Sequence, residues 1–273
     1  MRRFWPIMSA VTSAPWKFAP LKQPFVPSPN TRKLQGIVFD VDGTLCEPQT
    51  YMFSAMRSAL GIPPSTDILD HVYSLPTPDL QHDAMDKIRA IEREAMLSQV
   101  PQPGLAPLMS YLDSRSVRKG ICTRNFDLPV QNLLDKFLPS SAFGPIVTRD
   151  FRPPKPDPAG ILHIARSWGL VRRSTGEPGI PVDEAEEKEK IAEGGGQEEG
   201  ELLQTEKGEE VADASGLIMV GDSVDDITAG RRAGAKTVLL VNDVNRHLVD
   251  HEHTDLVIER LDELIEVLEE GRL

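Results

Sequence analysis

The chain has 273 residues, 40% of them hydrophobic, and a formal net charge of −12. Residues 177–213 hold fourteen acids and three lysines, so this single segment accounts for −11 of the charge and the rest is nearly neutral. No basic stripe accompanies a nucleic-acid motif, and no apolar run reaches the roughly 18 residues of a membrane span, so we expect neither nucleic-acid binding nor a membrane protein.

The first 33 residues contain six basic residues and no acid. Such a start is typical of a mitochondrial targeting segment, but its six prolines would break an amphipathic helix. We therefore predict a disordered, basic, proline-rich extension over residues 1–33, with mitochondrial import as the alternative. Two cysteines exclude a disulfide framework or a cysteine zinc site and predict a reducing compartment, the cytoplasm or the nucleus.

An apolar strand that ends in two acids comes next. Residues 37–39 are Ile-Val-Phe, and Asp40 and Asp42 follow before Gly43 bends the chain. Alternate residues of a strand share a face, and open α/β sheets bind ligands at the carboxyl ends of their strands. Two acids in one crevice repel each other unless they share a cation. The segment predicts a divalent metal, although Asp-Gly-Thr alone is also ordinary turn sequence.

Residues 49–100 have a helical rather than a strand pattern. Apolar residues at helical spacing predict helices over residues 51–60 and 79–97, and the segments Gly-Ile-Pro-Pro at 61–64 and Pro-Thr-Pro at 76–78 break them. We predict a small helical cap inserted after the first strand. The second helix also carries charged residues that we expect to face solvent: Asp83, Asp86, Arg89, Glu92 and Arg93.

The remaining segments alternate between helices and strands, which is typical of a parallel sheet. The predicted helices cover residues 105–114, 128–137, 159–168, 225–233 and 261–269, and the predicted strands cover 118–122, 146–147, 217–220, 237–241 and 255–258. Glutamates and glycines without aromatic residues predict a disordered acidic insertion over 172–214. The expected fold is a doubly wound, Rossmann-like α/β core over 34–48 and 101–273, with the cap over 49–100.

Three later segments carry polar residues at or near predicted strand ends. Thr123 follows one strand, Lys155 lies between prolines, and Asp222 ends the most apolar strand with Asp226 one helical turn later. Alone, Thr123 is also explained as a helix N-cap and Lys155 as a solvated surface lysine. Asp222 and Asp226 are the stronger signal, because both can face one point.

Taken together, these segments resemble the four motifs of the haloacid dehalogenase (HAD) superfamily of aspartate-nucleophile hydrolases. The resemblance spans residues 34–170 and 216–270, and segments 101–104, 121–125 and 147–153 are similar to fungal HAD-like hydrolases. The matching motifs are Asp40-Val-Asp42-Gly-Thr, Thr123, Lys155 within Lys-Pro-Asp-Pro, and Gly221-Asp-Ser-Val-Asp-Asp226.

The resemblance implies a mechanism in which Asp40 attacks phosphorus to form an aspartyl-phosphate. Asp42 then acts as the acid that protonates the leaving oxygen and as the base that activates water. It also implies Mg²⁺, held by the Asp40 carboxylate, the Asp42 backbone carbonyl and Asp222. Asp226 would orient a metal-bound water or Lys155.

The same resemblance assigns Lys155 and Thr123 to charge neutralisation on the transferred phosphoryl group. Arg124 and Asn125, which follow Thr123, are weaker candidates for substrate contacts, and a loop-stabilising role is equally open. The expected partner is a small phosphorylated metabolite, and the oligomeric state stays open.

The expected activity is a Mg²⁺-dependent phosphatase. A phosphomutase using the same nucleophile is the alternative, followed by a haloacid dehalogenase and a non-catalytic interaction module. Dehalogenases need no leaving-group acid, so the carboxylate of Asp42 favours phosphoryl transfer. An interaction module would not need Asp40, Asp42, Lys155 and Asp222 together.

Overall fold

A computed structural model of the chain describes residues 17–22, 31–49, 51–173 and 210–273. The strands are β1 (Lys17–Phe18), β2 (Thr31–Arg32), β3 (Gly36–Phe39), β4 (Lys119–Cys122), β5 (Ile146–Val147), β6 (Val171–Arg173), β7 (Glu210–Ala212), β8 (Leu217–Gly221), β9 (Lys236–Leu240) and β10 (Leu256–Ile258). The helices are α1 (Tyr51–Leu60), α2 (Ile68–Ser74), α3 (Pro78–Leu97), α4 (Leu105–Ser114), α5 (Asp127–Phe137), α6 (Ala159–Ser167), α7 (Val224–Ala233) and α8 (Glu263–Glu270), with a 3-10 turn at Arg246–Leu248.

Six strands form one parallel sheet in the order β10-β9-β8-β3-β4-β5. From β3 the chain first adds β4 and β5 on one side and later β8, β9 and β10 on the other. The connections therefore reverse direction around the central strand, which creates the crevice in which such sheets bind ligands. The doubly wound, Rossmann-like α/β fold predicted from the sequence is confirmed.

Helices cover both faces of the sheet, because its strands are apolar on both sides. Ile37 and Phe39 of β3 pack in one cluster with α4, α5 and α8. Val38, between them, packs in a second cluster with α6 and α7. The period-2 alternation of the strand thus divides the core into two layers.

The helices α1, α2 and α3, which lie between β3 and α4 in the chain, have a hydrophobic core of their own and form a cap. The seven-residue α2 was not predicted; Asp67 caps it by accepting hydrogen bonds from the backbone of Leu69 and Asp70. The buried apolar residues of the cap are Met52, Met56, Ile68, Val72, Ala84, Ile88 and Ala95.

Part of the predicted N-terminal extension is ordered, which corrects the expectation of disorder there. Phe18 is 2% exposed within the core, and its backbone N–H donates to the carbonyl of Leu273. The backbone N–H of Leu21 donates to the carbonyl of Leu268 in α8. Residues 17–22 therefore cover the C-terminal helix; residues 1–16 and 23–30 of the predicted extension lie outside the described residues.

The predicted disordered insertion also has an ordered base. Its two ends pair as antiparallel β6 and β7, with Arg173 opposite Glu210, and Ala214 is buried. Residues 174–209 lie outside the described part of the chain. No helix among the described residues is both long and apolar enough to cross a lipid bilayer.

Candidate active site

The two acids after β3 lie in a turn that brings a third acid close to them. The side chain of Asp42 accepts a hydrogen bond from the backbone of Gln49 at 3.1 Å. Gly43 has φ +83°, and a Cβ there would lie 2.2 Å from Oδ2 of Asp222. Only glycine suits this position, because the backbone is left-handed and the carboxylate takes the place of a side chain.

Lys155 reaches this group of acids from the loop between β5 and α6. Its Nζ lies 2.7 Å from Oδ1 of Asp40 and 2.5 Å from Oδ1 of Asp226, and the side chain is buried. Burial lowers the pKa of Lys155, but the two carboxylates outweigh burial and raise it above its ordinary value. The lysine is therefore a permanent cation at neutral pH.

The end of β8 and the start of α7 hold the other two acids in place. Asn245 donates to the backbone carbonyl of Asp222 at 2.7 Å, and Asn242 lies 3.3 Å from Oδ2 of its side chain. Ser223 and Asp226 form a reciprocal capping box at the start of α7. The two asparagines were missed in the sequence, since they belong to the loop after β9.

The acids hold more negative charge than Lys155 neutralises. Burial raises the pKa of Asp40 despite the contact with Lys155. Burial also raises the pKa of Asp42 to about 7; the Gln49 hydrogen bond lowers it and the charge of Asp40 raises it further. Burial and the neighbouring carboxylates raise the pKa of Asp222 to about 8. Such a site favours a bound cation or protons.

The donor set fits Mg²⁺. Asp40, Asp222 and Asp226 each offer a carboxylate oxygen within 4.8 Å of the others, and hard oxygen donors are what this ion prefers. Both oxygens of Asp226 are already engaged, one by Lys155 and the other by the capping box. This arrangement favours Asp40 and Asp222 as direct ligands and Asp226 as the residue that positions Lys155.

Thr123, Arg124 and Asn125 lie together after β4, but with different partners. Oγ1 of the buried Thr123 accepts a hydrogen bond from the backbone of Asn125 at 3.2 Å. The guanidinium of Arg124 lies 2.6 Å from Asp225 of α7 and 2.5 Å from Asp67 of the cap. Arg124 therefore joins core and cap, which favours the structural role over direct substrate binding.

All eight candidate residues line one cavity of about 330 Å³ between core and cap. The wall that the cap supplies is mainly apolar. Its apolar members are Met52, Phe53, Met56, Ile68, Leu69 and Ile88.

Glu92 was predicted to be solvated, and this is wrong. It is 2% exposed and forms a buried ion pair with Arg149, 3% exposed, from the loop after β5. Glu92 follows Ile88 by one turn on the buried face of α3. Its negative charge is therefore paired within the cap–core interface and does not face solvent. A third contact across this interface places Arg152 3.4 Å above the ring of Tyr73.

Comparisons with known proteins agree with this arrangement. A family model described as HAD-hydrolase-like matches residues 201–264. An uncharacterised hydrolase of Saccharomyces cerevisiae is 39% identical over 244 residues, which is 87% of this chain and 92% of the yeast protein.

A haloacid dehalogenase-like hydrolase domain-containing protein of Arabidopsis thaliana is 30% identical over 219 residues, covering 76% of this chain and 71% of that protein. The crystal structure of CbbY from Rhodobacter sphaeroides with phosphate has a TM-score of 0.54 at 18% identity, and the match covers 85% of this chain and 96% of CbbY. That similarity concerns the fold, whereas the identity and coverage of the two relatives are decisive: the chain belongs to the haloacid dehalogenase-like hydrolases.

Proposed function

We propose that the chain is a Mg²⁺-dependent phosphatase that hydrolyses a small phosphomonoester through an aspartyl-phosphate on Asp40. The observation that carries the proposal is the pair of acids after β3. Asp42 lines the same cavity as Asp40, and burial raises its pKa to about 7, which suits a group that must give up and regain a proton near neutral pH. A haloacid dehalogenase would have no use for this second acid.

In the first step, a carboxylate oxygen of Asp40 attacks phosphorus and the bond from phosphorus to the ester oxygen breaks. Asp42 donates its proton to that oxygen, so that the product leaves as a neutral alcohol. Lys155 contacts Asp40 directly and remains cationic, which stabilises the negative charge that gathers around the transferred group.

In the second step, Asp42, now a carboxylate, takes a proton from water, and the water oxygen attacks phosphorus. The bond between phosphorus and Asp40 then breaks and releases inorganic phosphate, which restores both acids. Thr123 contributes to both steps: its oxygen accepts from the backbone of Asn125, so its own proton is available to a phosphoryl oxygen.

Mg²⁺, held by the carboxylates of Asp40 and Asp222 and by the backbone carbonyl of Asp42, would neutralise phosphoryl charge. The excess of carboxylates over ammonium groups at this point supports its presence. The phosphate bound by CbbY, which has the same fold, supports a phosphorylated substrate.

The test is phosphate release from p-nitrophenyl phosphate and from a panel of small phosphomonoesters, with Mg²⁺ and with a chelator. We expect turnover that depends on Mg²⁺ and that Asp40→Asn abolishes. The isosteric control Asp83→Asn, on the exposed side of the cap helix, should retain activity. Turnover by Asp40→Asn at the wild-type rate would overturn the proposal, and conversion between sugar-phosphate isomers without phosphate release would identify a mutase instead.

A further inference from the structure

The loop after β9 carries two asparagines, and both contact Asp222. The side chain of Asn245 is buried, and its Nδ2 donates to the backbone carbonyls of Asp222 at 2.7 Å and Leu240 at 3.0 Å. Its Oδ1 accepts from the backbone N–H of Asn242 at 2.7 Å. Both ends of this amide are therefore engaged by main-chain atoms, and Asn245 fixes the loop against the end of β8.

Asn242 differs, because its amide joins the loop to a carboxylate. Its Oδ1 accepts from the backbone N–H groups of Val244 at 2.9 Å and Asn245 at 3.2 Å. Two donors at this oxygen fix the orientation of the amide, so the NH₂ group is the end that faces the acid. Its Nδ2 donates to Oδ2 of Asp222 at 3.3 Å.

The loop needs only the acceptor of Asn242. Aspartate and serine side chains supply the same acceptor in comparable turns. The donor that reaches Asp222 is what an asparagine adds at this position, and the conformation of the loop does not account for it.

This contact occupies one of the two oxygens that Asp222 could offer to a cation. Among the residues that the structure describes, none donates to the other oxygen, Oδ1. The neighbouring acids are restricted in a similar way, since Oδ1 of Asp40 accepts from Lys155 and both oxygens of Asp226 are engaged. Each acid of the cluster therefore has at least one oxygen occupied by a protein donor.

Occupied oxygens distinguish between the two common divalent cations of hard oxygen sites. Ca²⁺ takes roughly six to eight oxygen ligands and often both oxygens of one carboxylate. Mg²⁺ is smaller, requires near-octahedral geometry and keeps several of its waters. A carboxylate that has one oxygen held by an amide suits Mg²⁺ better than Ca²⁺.

We propose that Asn242 is a positioning residue of the metal site. Its amide holds one oxygen of Asp222, so that this acid offers only the other oxygen to the cation and the site selects Mg²⁺ over Ca²⁺. The inference rests on the proposed function, because it requires Asp222 to be a metal ligand. It assigns the choice of ion to a residue outside the four sequence motifs.

The test measures metal binding in the absence of substrate. Mn²⁺ is titrated into the full-length protein, free Mn²⁺ is quantified by its electron paramagnetic resonance signal, and displacement by Mg²⁺ or Ca²⁺ gives the dissociation constant of each ion. We expect the wild-type protein to bind Mg²⁺ more tightly than Ca²⁺.

Asn242→Asp keeps the acceptor for the loop, removes the donor to Asp222 and adds a carboxylate oxygen beside it. The ratio of the Ca²⁺ to the Mg²⁺ dissociation constant should fall by about tenfold, because groups that orient a ligand typically change metal affinity by about 10–100-fold. Asn242→Ser keeps an acceptor without adding charge and should lower the ratio by a few-fold. The control Asp243→Asn, at the exposed neighbouring residue, should leave the ratio within about twofold of wild type.

Equal affinity of the wild-type protein for the two ions, or no binding of Mn²⁺ at all, would overturn the inference. A parallel change of both dissociation constants in Asn242→Asp and Asn242→Ser would also overturn it and leave Asn242 as a loop residue. Should Asn242→Asp fail to fold, Asn242→Ser decides alone. A protein with the expected selectivity that releases no phosphate from p-nitrophenyl phosphate would instead refute the proposed function.

Discussion

The carboxyl edge of the sheet and the cap–core interface use buried charge in opposite ways. At the edge, Asp40, Asp42, Asp222 and Asp226 surround one ammonium group, so negative charge is in excess. Across the interface, the acids are paired with arginines: Glu92 with Arg149, and Asp67 with Arg124, which also contacts Asp225. Excess negative charge requires protons or a cation, whereas paired charges fix the position of one element against another.

The largest expected effect comes from removing the proton donor at the edge. Asp42→Asn should reduce turnover of an alkyl phosphate by about 10²–10⁴-fold, because an alkoxide cannot leave unprotonated. p-Nitrophenolate leaves without a proton, so with p-nitrophenyl phosphate the first step should survive and the second should stall. Stopped-flow absorbance should show a burst of p-nitrophenolate followed by slow turnover. An equal loss with both substrates and no burst would remove Asp42 from the acid role.

The pH dependence of protein stability tests whether negative charge is in excess at the carboxyl edge of the sheet. In the folded, metal-free protein the pKa values of Asp42 and Asp222 are raised to about 7 and about 8, so between about pH 4 and pH 8 the folded state binds more protons than the unfolded state. The free energy of unfolding therefore falls as the pH rises through this window. With a chelator present, we expect the free energy of unfolding to fall by on the order of 2–4 kcal/mol between pH 5 and pH 8.

Mg²⁺ should reverse most of this loss, and Asp222→Asn should show a smaller pH dependence in the chelator. The measurement is urea unfolding at several pH values with and without the ion. A stability in chelator that is constant or rises from pH 5 to pH 8 would contradict the assignment of uncompensated charge to this edge.

Removing one partner of an ion pair at the cap–core interface should have a smaller effect than the changes at the carboxyl edge. Arg124→Gln removes the contact between core and cap at Asp67, and because these side chains are partly exposed we expect a loss of about 1 kcal/mol in stability and a rise of a few-fold in KM. Asp225→Asn removes the other contact of Arg124, which lies within the core, and should change KM less. Equal KM values for the two variants would show that the contact to the cap is unimportant.

The smallest effect is expected from removing residues 174–209. Arg173 and Glu210 are paired across β6 and β7, so a two-residue Asn-Gly turn can join them. This ladder precedes β8, at the amino ends of the strands, whereas the candidate active site lies at the carboxyl ends. Turnover within about twofold of wild type is expected. A collapse of activity in a protein with unchanged melting temperature would place the segment at the site.

Local sequence patterns were sufficient to predict the α/β core and the polar residues at the carboxyl edge of its sheet. Asp40, Thr123 and Asp222 directly follow buried strands, and Asp42 lies two residues after Asp40. Adjacent parallel strands bring their carboxyl ends together. The order of elements along the chain then predicted the doubly wound fold.

Contacts between distant parts of the chain were not visible in those patterns. Glu92 lies in a run of charged residues, and its burial depends on Arg149, which follows a different strand. Phe18 contacts Leu273 at the other end of the chain, and proline-rich surroundings gave no sign of that contact. The short α2 spans too few residues to develop a helical period.

If the acids at the carboxyl edge carry phosphoryl transfer through Asp40, the phosphorylated aspartate can be trapped covalently. Asp42→Asn is mixed with p-nitrophenyl phosphate labelled with ³²P, quenched in acid within milliseconds and digested for peptide mapping. We expect a hydroxylamine-sensitive label on the peptide that contains Asp40, and no label in Asp40→Asn/Asp42→Asn. A burst of p-nitrophenolate without label, or label on another residue, would contradict it.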